Sequence, residues 1–168
     1  MHAGFVLNYT RFINGKEAKM SEINRKAGAI WTGDLNNGQG LISTESRTIF
    51  ELPYDYRTRF ENEPGSNPEE LLAAAHASCF TMALASTLKK KGITPVQLEV
   101  TATCTLTSGD AGRNIDKMHL HVRGEVPDTD EDTFERLVEE TNQTCPVSKL
   151  LGSGLEITLS TALIEKVA

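Results

Sequence analysis

The sequence predicts a single α+β domain, and three observations lead to that prediction. A long uncharged helix occupies the middle of the chain, segments of alternating polarity lie on both sides of it, and a second helix separates two of the later strands. A length of 168 residues suits one domain that buries its own core without disulfides or structural metal ions.

The N-terminal part of the chain divides into an extension and a strand region. Residues 1–23 show no periodicity, so we interpret them as an extension in front of a domain that covers residues 24–168. Met20 offers an internal start. From about Arg25 to Phe60 the pattern is strand-like, and the turn signal at residues 36–38 predicts a hairpin between two apolar triplets.

The clearest helix signal follows a predicted loop over residues 61–66. Asn67 is a preferred N-cap residue, Pro68 suits the first helical position, and Glu70 stands three residues after the cap. Three lysines and then Gly92 are typical of a helix C-terminus, so the helix should end there.

Within that helix, the stretch Leu71–Leu88 contains no charged residue. Its length would just allow a membrane span. We interpret it instead as the central helix of a soluble core, because nothing else in the chain resembles a membrane or secretory segment. A helix this apolar needs cover on all sides, which a domain of this size can supply only as a homodimer.

The C-terminal half predicts a hairpin, two helices and a last strand. Polar and apolar residues alternate over Val96–Leu106 and again over Met118–Val126, so each strand should bury one face. The remaining elements are a helix over about 130–142, a short helix that starts at Pro146, and a strand over 155–163.

Composition excludes several classes of function. The 17 basic residues are outnumbered by 23 acidic ones, which argues against a nucleic-acid binder. Three cysteines cannot all pair within one chain, and no CxxC spacing links them. Free or catalytic thiols in a reducing compartment, the cytoplasm, are therefore predicted.

Two of the cysteines have helix or strand positions that are also explained by core packing. Cys104 lies on the apolar side of a strand and should behave as a small hydrophobic residue. Cys79 lies about three turns inside the long helix, where the helix dipole has faded and burial makes a thiol inert. A reactive Cys79 would therefore need a cation from nearby, and the candidates are Arg57, Arg59 and His76.

Cys145 and Glu69 lie at predicted helix starts. Pro146 places Cys145 at an N-cap, where free backbone N–H groups favour a thiolate and where we expect it near the surface. A partly buried capping residue remains the alternative for Cys145. Helix capping alone also explains the presence of Glu69.

The segments TRF, NPEELLAAAHASCF and CPVSK together resemble the OsmC/Ohr family of osmotically inducible protein C and organic hydroperoxide resistance proteins. The segment AGAIWTGDLNNGQGLISTES is similar to the OsmC branch, and the resemblance covers about Arg25 to Leu163. It implies an OsmC-like fold with antiparallel sheets around long central helices. It also implies an intertwined homodimer with active sites at the interface.

The same resemblance implies roles for individual residues. Cys79 matches the peroxidatic cysteine and Cys145 the resolving cysteine. Glu69 matches the acidic residue that positions a catalytic arginine. That arginine is expected to be Arg59, and Arg57 is the alternative, two residues away on the same side of a predicted strand.

The implied activity is a thiol-dependent peroxidase in defence against oxidative and osmotic stress. Cys79 would reduce a hydroperoxide to an alcohol, and the resulting sulfenic acid would condense with Cys145 into a disulfide. An external small dithiol or lipoyl-type reductant would restore both thiols. Organic hydroperoxides should react better than hydrogen peroxide, and no metal, haem, flavin, nucleic acid or membrane is expected to take part.

Three other hypotheses remain open from the residues alone. A cysteine hydrolase or acyltransferase could use Cys79 with His76 as its base, since residues three apart on a helix are neighbours. A zinc-binding module could use His76, Cys79 and Cys145. A non-enzymatic stress-binding dimer would consume no peroxide.

Overall fold

The computed structural model describes residues 22–61, 63–110 and 112–164. Nearly all of the predicted extension over residues 1–23, with Met20, lies outside the described residues. The described elements are, in chain order, β1 Ala27–Thr32, β2 Gln39–Thr44, β3 Leu52–Tyr54, α1 Tyr56–Phe60, α2 Pro68–Lys90, β4 Gln97–Gly109, β5 Gly112–Glu125, α3 Glu131–Thr144, α4 Pro146–Leu151 and β6 Glu156–Leu163.

The strands form two three-stranded sheets, and the α+β prediction is confirmed. In the N-terminal sheet, β1, β2 and β3 pair antiparallel in sequence order. In the C-terminal sheet, β4 and β5 form a long antiparallel hairpin, and β6 pairs parallel to β5. The expectation of purely antiparallel sheets is wrong for β6, because α3 and α4 form the crossover that a parallel pair requires.

Helix α2 begins and ends as its sequence predicts. The Asn67 side chain accepts a hydrogen bond from the Glu70 backbone N–H at 2.8 Å, with Pro68 in the first turn. Beyond the last turn, Gly92 has a φ of +76°, a left-handed conformation that favours glycine. The helix packs on β4, α3 and α4, and its buried Phe80, Leu84 and Leu88 contribute to the hydrophobic core.

The segment before α2 contains a helix where a strand was predicted. The Asp55 side chain accepts from the Thr58 backbone N–H at 2.9 Å, and the Asp55 N–H donates to the Thr58 hydroxyl at 3.1 Å. This reciprocal capping box starts α1. Arg57 and Arg59 therefore do not share one side of a strand, because residues two apart on a helix point in nearly opposite directions.

Two apolar surfaces of the single chain are left open. The N-terminal sheet packs mainly on itself, and every residue of β1 is exposed, including Ile30 at 68%. On α2, one side presents exposed Ala74, Ser78 and Met82, the last with 76% of its surface accessible. By length and composition α2 could also cross a membrane, a test that core helices of soluble proteins pass as well.

Candidate active site

Two thiols that lie 66 residues apart in sequence meet in the structure. The Cys145 thiol donates to the Cys79 sulfur at an Sγ–Sγ distance of 3.5 Å. Cys145 is fully buried, and Cys79 is partly exposed. The pair thus combines one thiol that a small molecule can reach with a second thiol held directly behind it.

Cys145 reaches this position because the chain breaks there between two helices. Its backbone N–H donates to the Thr141 carbonyl at 2.8 Å and ends α3, and its carbonyl accepts from the Lys149 N–H at 3.0 Å and starts α4. Its φ of −60° and ψ of 124° are those favoured before a proline such as Pro146. The N-cap prediction is confirmed, but the expected surface location is wrong, because α2 packs against α4 and covers the thiol.

The environment of Cys79 within the single chain favours the protonated thiol. Burial raises the pKa of Cys79 above its ordinary value. The backbone N–H of Val147, in the first turn of α4, bonds to the sulfur and lowers the pKa, but by less than burial raises it. A thiolate at neutral pH therefore needs a cation that these contacts do not supply.

Arg59 and Glu69 form a forked ion pair. The Arg59 Nε contacts both carboxylate oxygens of Glu69, at 3.2 and 3.3 Å, and the terminal NH2 lies 2.8 Å from Oε1. Glu69 is buried, whereas about a third of the Arg59 side chain is exposed. Arg57 instead lies 3.6 Å from Asp55 and is largely exposed. Of the two arginines, Arg59 is therefore the one that Glu69 fixes in orientation.

The ion pair and the thiols lie at different levels of α2. Glu69 and Cys79 are ten residues apart, which corresponds to about 15 Å along the helix axis. Within the described residues, no hydrogen bond or ion pair joins Arg59 to either Cys79 or Cys145. One chain by itself thus contains the predicted components but does not bring the arginine to the thiol.

Arg59 borders a cavity of about 310 Å³ between the N-terminal sheet and α1. Aromatic and aliphatic side chains form most of its wall, and its charged groups are the Arg59 guanidinium and the Asp55 carboxylate. The lining residues are Trp31, Leu35, Tyr54, Asp55, Tyr56, Arg59 and Phe60. Such a surface suits an apolar organic group whose polar end faces the arginine.

Cys104 packs partly buried against the core from β4, and no hydrogen bond among the described residues joins it to Cys79 or Cys145. Burial, with a smaller contribution from the negative charge of Glu69, raises the pKa of Cys104. The thiol therefore stays protonated at neutral pH, as expected for a core residue.

His76 is fully buried, and its Nε2 lies 2.8 Å from the Ser148 hydroxyl. Burial lowers the pKa of His76, so the ring is neutral at pH 7. Among the described residues no hydrogen bond joins His76 to Cys79, and no group of three His, Cys, Asp or Glu side chains could hold a metal ion. The geometry therefore supports neither His76 as the base of a hydrolase nor the zinc hypothesis.

Ser148 and the Val147 N–H are site groups that the sequence reasoning missed. A signal was present in the spacing, because His76 stands three residues before Cys79 and Ser148 three residues after Cys145. Residues three apart on a helix share a face, so the two polar residues could have been expected to meet wherever the two thiols meet.

Known proteins are similar to this chain in sequence over most of its length. The OsmC family, described as OsmC-like protein, matches residues 60–160. Peroxiredoxin OsmC of Escherichia coli K12 is 44% identical over 137 residues, which cover 82% of this chain and 94% of that protein. Organic hydroperoxide resistance protein OhrA of Bacillus subtilis is 34% identical over 101 residues, which cover 60% of this chain and 70% of that one.

The fold has solved counterparts as well. An organic hydroperoxide resistance protein from Elizabethkingia anophelis superimposes with a TM-score of 0.69 at 24% identity, over 86% of this chain and 100% of that chain. An OsmC-like protein from Mycoplasma pneumoniae gives a TM-score of 0.67 at 18% identity, over 86% and 100% of the two chains. At these identities the likeness is one of fold.

Proposed function

The chain belongs to the OsmC-like family, on its OsmC branch, and from that membership we propose that it is a cysteine-based peroxidase that detoxifies hydroperoxides under stress. The observation that carries the proposal is the 3.5 Å contact between the Cys79 and Cys145 sulfurs. A partly exposed thiol with a second thiol in contact is the arrangement that a two-cysteine peroxide reduction requires.

The proposed reaction has three steps. The Cys79 thiolate attacks the distal oxygen of the hydroperoxide, the O–O bond breaks, and the alkoxide takes a proton and leaves as the alcohol. Cys79 is now a sulfenic acid, which the Cys145 sulfur attacks with loss of water to give a Cys79–Cys145 disulfide. An external dithiol then reduces this disulfide by exchange and is itself oxidised to a disulfide.

A second copy of the chain is proposed to complete the site. Ala74 lies midway between Glu69 and Cys79 on α2 and is exposed, as is Ala75. In a two-fold dimer whose α2 helices cross antiparallel at Ala74, Glu69 and Arg59 of one copy lie at the level of Cys79 of the other. The small residues at the crossing permit close approach, and the exposed Met82 becomes covered.

In that arrangement Arg59 of one copy supplies the cation that Cys79 lacks within a single chain. A guanidinium beside Cys79 lowers the thiol pKa by stabilising the thiolate and offers donors to the peroxide oxygens. Glu69 holds the guanidinium in place through its forked contacts. The exposed β1 strand and the rest of the N-terminal sheet would pack on the second copy, as an intertwined dimer requires.

The preferred substrates are proposed to be organic hydroperoxides, and hydrogen peroxide a poorer one. The aromatic cavity beside Arg59 can desolvate an alkyl or aryl group, which hydrogen peroxide lacks. No prosthetic group is assigned, since Cys79, Cys145, Arg59 and Glu69 supply the nucleophile, the resolving thiol and the charge. A small dithiol or lipoyl-type reductant in the cytoplasm is the proposed electron source.

Peroxide consumption with a dithiol tests the proposal. The parent protein should reduce cumene hydroperoxide faster than hydrogen peroxide, and Cys79→Ser should abolish both activities. Cys104→Ser is the matched control and should keep nearly full activity, because among the described residues no hydrogen bond links Cys104 to the thiol pair. Turnover retained in Cys79→Ser would refute the mechanism, and a parent protein without peroxide consumption would favour the non-enzymatic binding hypothesis.

A further inference from the structure

The two segments that carry the thiols also carry a buried polar pair. His76 of α2 and Ser148 of α4 are 72 residues apart, and their Nε2 and Oγ atoms lie 2.8 Å from each other. His76 is fully buried, and only 3% of Ser148 is exposed. Neither side chain can therefore touch a substrate, and the bond must act on the protein itself.

The hydrogen-bonding state of His76 follows from its other ring nitrogen. Nδ1 is buried and has no hydrogen-bond partner among the residues that the structure describes. A buried N–H without a partner is rarer than an unpaired acceptor, so the proton belongs on Nε2. His76 is then a neutral donor and the Ser148 hydroxyl its acceptor.

The His76–Ser148 hydrogen bond lies about one helical turn from the contact between the two thiols. On α2, His76 and Cys79 are three residues apart, and the N-cap residue Cys145 has the same spacing from Ser148 of α4. Each pair therefore lies on one face of its helix. Three neighbouring contacts therefore join the two segments: the sulfur contact, the bond from the Val147 N–H to the Cys79 sulfur and, one turn away, the His76–Ser148 hydrogen bond.

Helix α4 depends on such ties. It has six residues, and helices of this length are unstable on their own. It begins at Cys145, whose extended backbone separates it from α3, and it ends at Gly152. Contacts with α2 and α3 must therefore decide where the helix is located, and those with α2 set the distance between the Cys145 and Cys79 sulfurs.

We propose that the His76–Ser148 hydrogen bond is a positioning device that holds α4 on α2 so that Cys145 stays in contact with Cys79 and closes the disulfide rapidly. Closure must bring the two sulfurs from 3.5 Å to about 2 Å, which a loosely held α4 would reach less often. The inference rests on the proposed peroxidase function. It adds His76 and Ser148 as residues that act through Cys145 on the second step.

Single-turnover kinetics with one equivalent of cumene hydroperoxide separate the two steps. Mass spectrometry of samples quenched with a sulfenic acid trap follows oxidation of Cys79 and its conversion to the disulfide. Ser148→Ala should slow the conversion about tenfold, the factor expected from losing one buried hydrogen bond, and should change Cys79 oxidation far less. Ser153→Ala is the matched control, because Ser153 is exposed and its hydroxyl donates to the Leu150 carbonyl of its own turn.

His76→Leu removes the other partner of the same hydrogen bond, the one on α2, and fills the buried volume of the imidazole ring. It therefore tests the inference independently of Ser148→Ala. His76→Leu should also slow closure, and the double variant with Ser148→Ala should be little slower than either single one. Trapped sulfenic acid should accumulate in all three variants. His76→Gln, which keeps an amide donor, should restore part of the rate.

Conversion at the parent rate in Ser148→Ala would overturn the inference, as would equal slowing of both steps, which indicates a general loss of structure. Additive slowing in the double variant would overturn it as well. Failure of the proposed function can be distinguished from failure of this inference, because the parent protein itself would then form neither sulfenic acid nor disulfide.

Discussion

Two inactive variants should restore each other's activity if the site is shared between two copies. Arg59→Ala removes the cation and keeps the thiol, whereas Cys79→Ser removes the thiol and keeps the cation. In a mixed dimer, the intact Cys79 of one copy faces the intact Arg59 of the other, so one of the two sites is complete. If each chain instead used its own Arg59, a mixed dimer would contain no complete site.

The expected size of the effect comes from the geometry of α2. An arginine in contact with the thiolate lowers the thiol pKa by stabilising the charged form, and the exposed third of Arg59 weakens this effect through solvent screening. Arg59→Ala should therefore reduce the rate of Cys79 oxidation at pH 7 roughly ten- to hundredfold, and the rate should recover as the pH rises. At about 15 Å within one chain, the same charge would be largely screened at physiological salt.

The assay is co-expression of the two variants with different affinity tags, so that the mixed dimer can be isolated. The purified mixed dimer should show about half of the parent rate, since one of its two sites is complete. Glu69→Gln in place of Arg59→Ala should give a milder defect with the same rescue. A mixed dimer that is as inactive as Arg59→Ala alone would refute the shared site. An Arg59→Ala protein that matches the parent across pH 6 to 9 would refute the arginine assignment, and Arg57→Ala would then be tested.

The remaining predictions concern assembly and stability. Met82→Lys should weaken the dimer, because the exposed Met82 lies on the open side of α2 and a lysine there would bury a charge. Light scattering measures the oligomeric state. A parent protein that is already monomeric, near 18.4 kDa, would contradict the dimer. Asn67→Ala should lower the free energy of unfolding by about 1 kcal/mol, because the Glu70 N–H loses its cap. Urea denaturation measures this change, and Gln143→Ala, at an exposed position of α3, should stay within about 0.5 kcal/mol of the parent.

Local signals in the sequence predicted much of the fold. Helix α2 has its capping residue, its proline and its terminal glycine within or next to its own segment. In each alternating strand, the positions of the apolar residues indicate which face is buried. Helix α1 was missed although Asp55 and Thr58 form a capping box, because the surrounding aromatic residues favoured a strand. The direction of β6 was missed because alternation does not specify whether a strand pairs parallel or antiparallel.

For the site, sequence reasoning identified residues but not their surroundings. The segments around Cys79 and Cys145 indicated the two thiols and their family, and the N-cap position of Cys145 followed from Pro146. Its burial did not, because it depends on α2 packing from elsewhere in the chain. The His76–Ser148 bond joins residues 72 positions apart, and only the assembled helices reveal it.

The contact between the two sulfurs also bears on which molecules can intercept the oxidised enzyme. Two groups held 3 to 3.5 Å apart in a favourable orientation react much faster than the same groups would when free in solution. In the proposed reaction, thiols in solution and second peroxide molecules therefore compete poorly with Cys145 for the Cys79 sulfenic acid. Mixed disulfides with abundant monothiols and irreversible overoxidation of Cys79 should therefore be rare. The reductant then reacts with the Cys79–Cys145 disulfide and not with the sulfenic acid, so the disulfide is the form that selects among reductants.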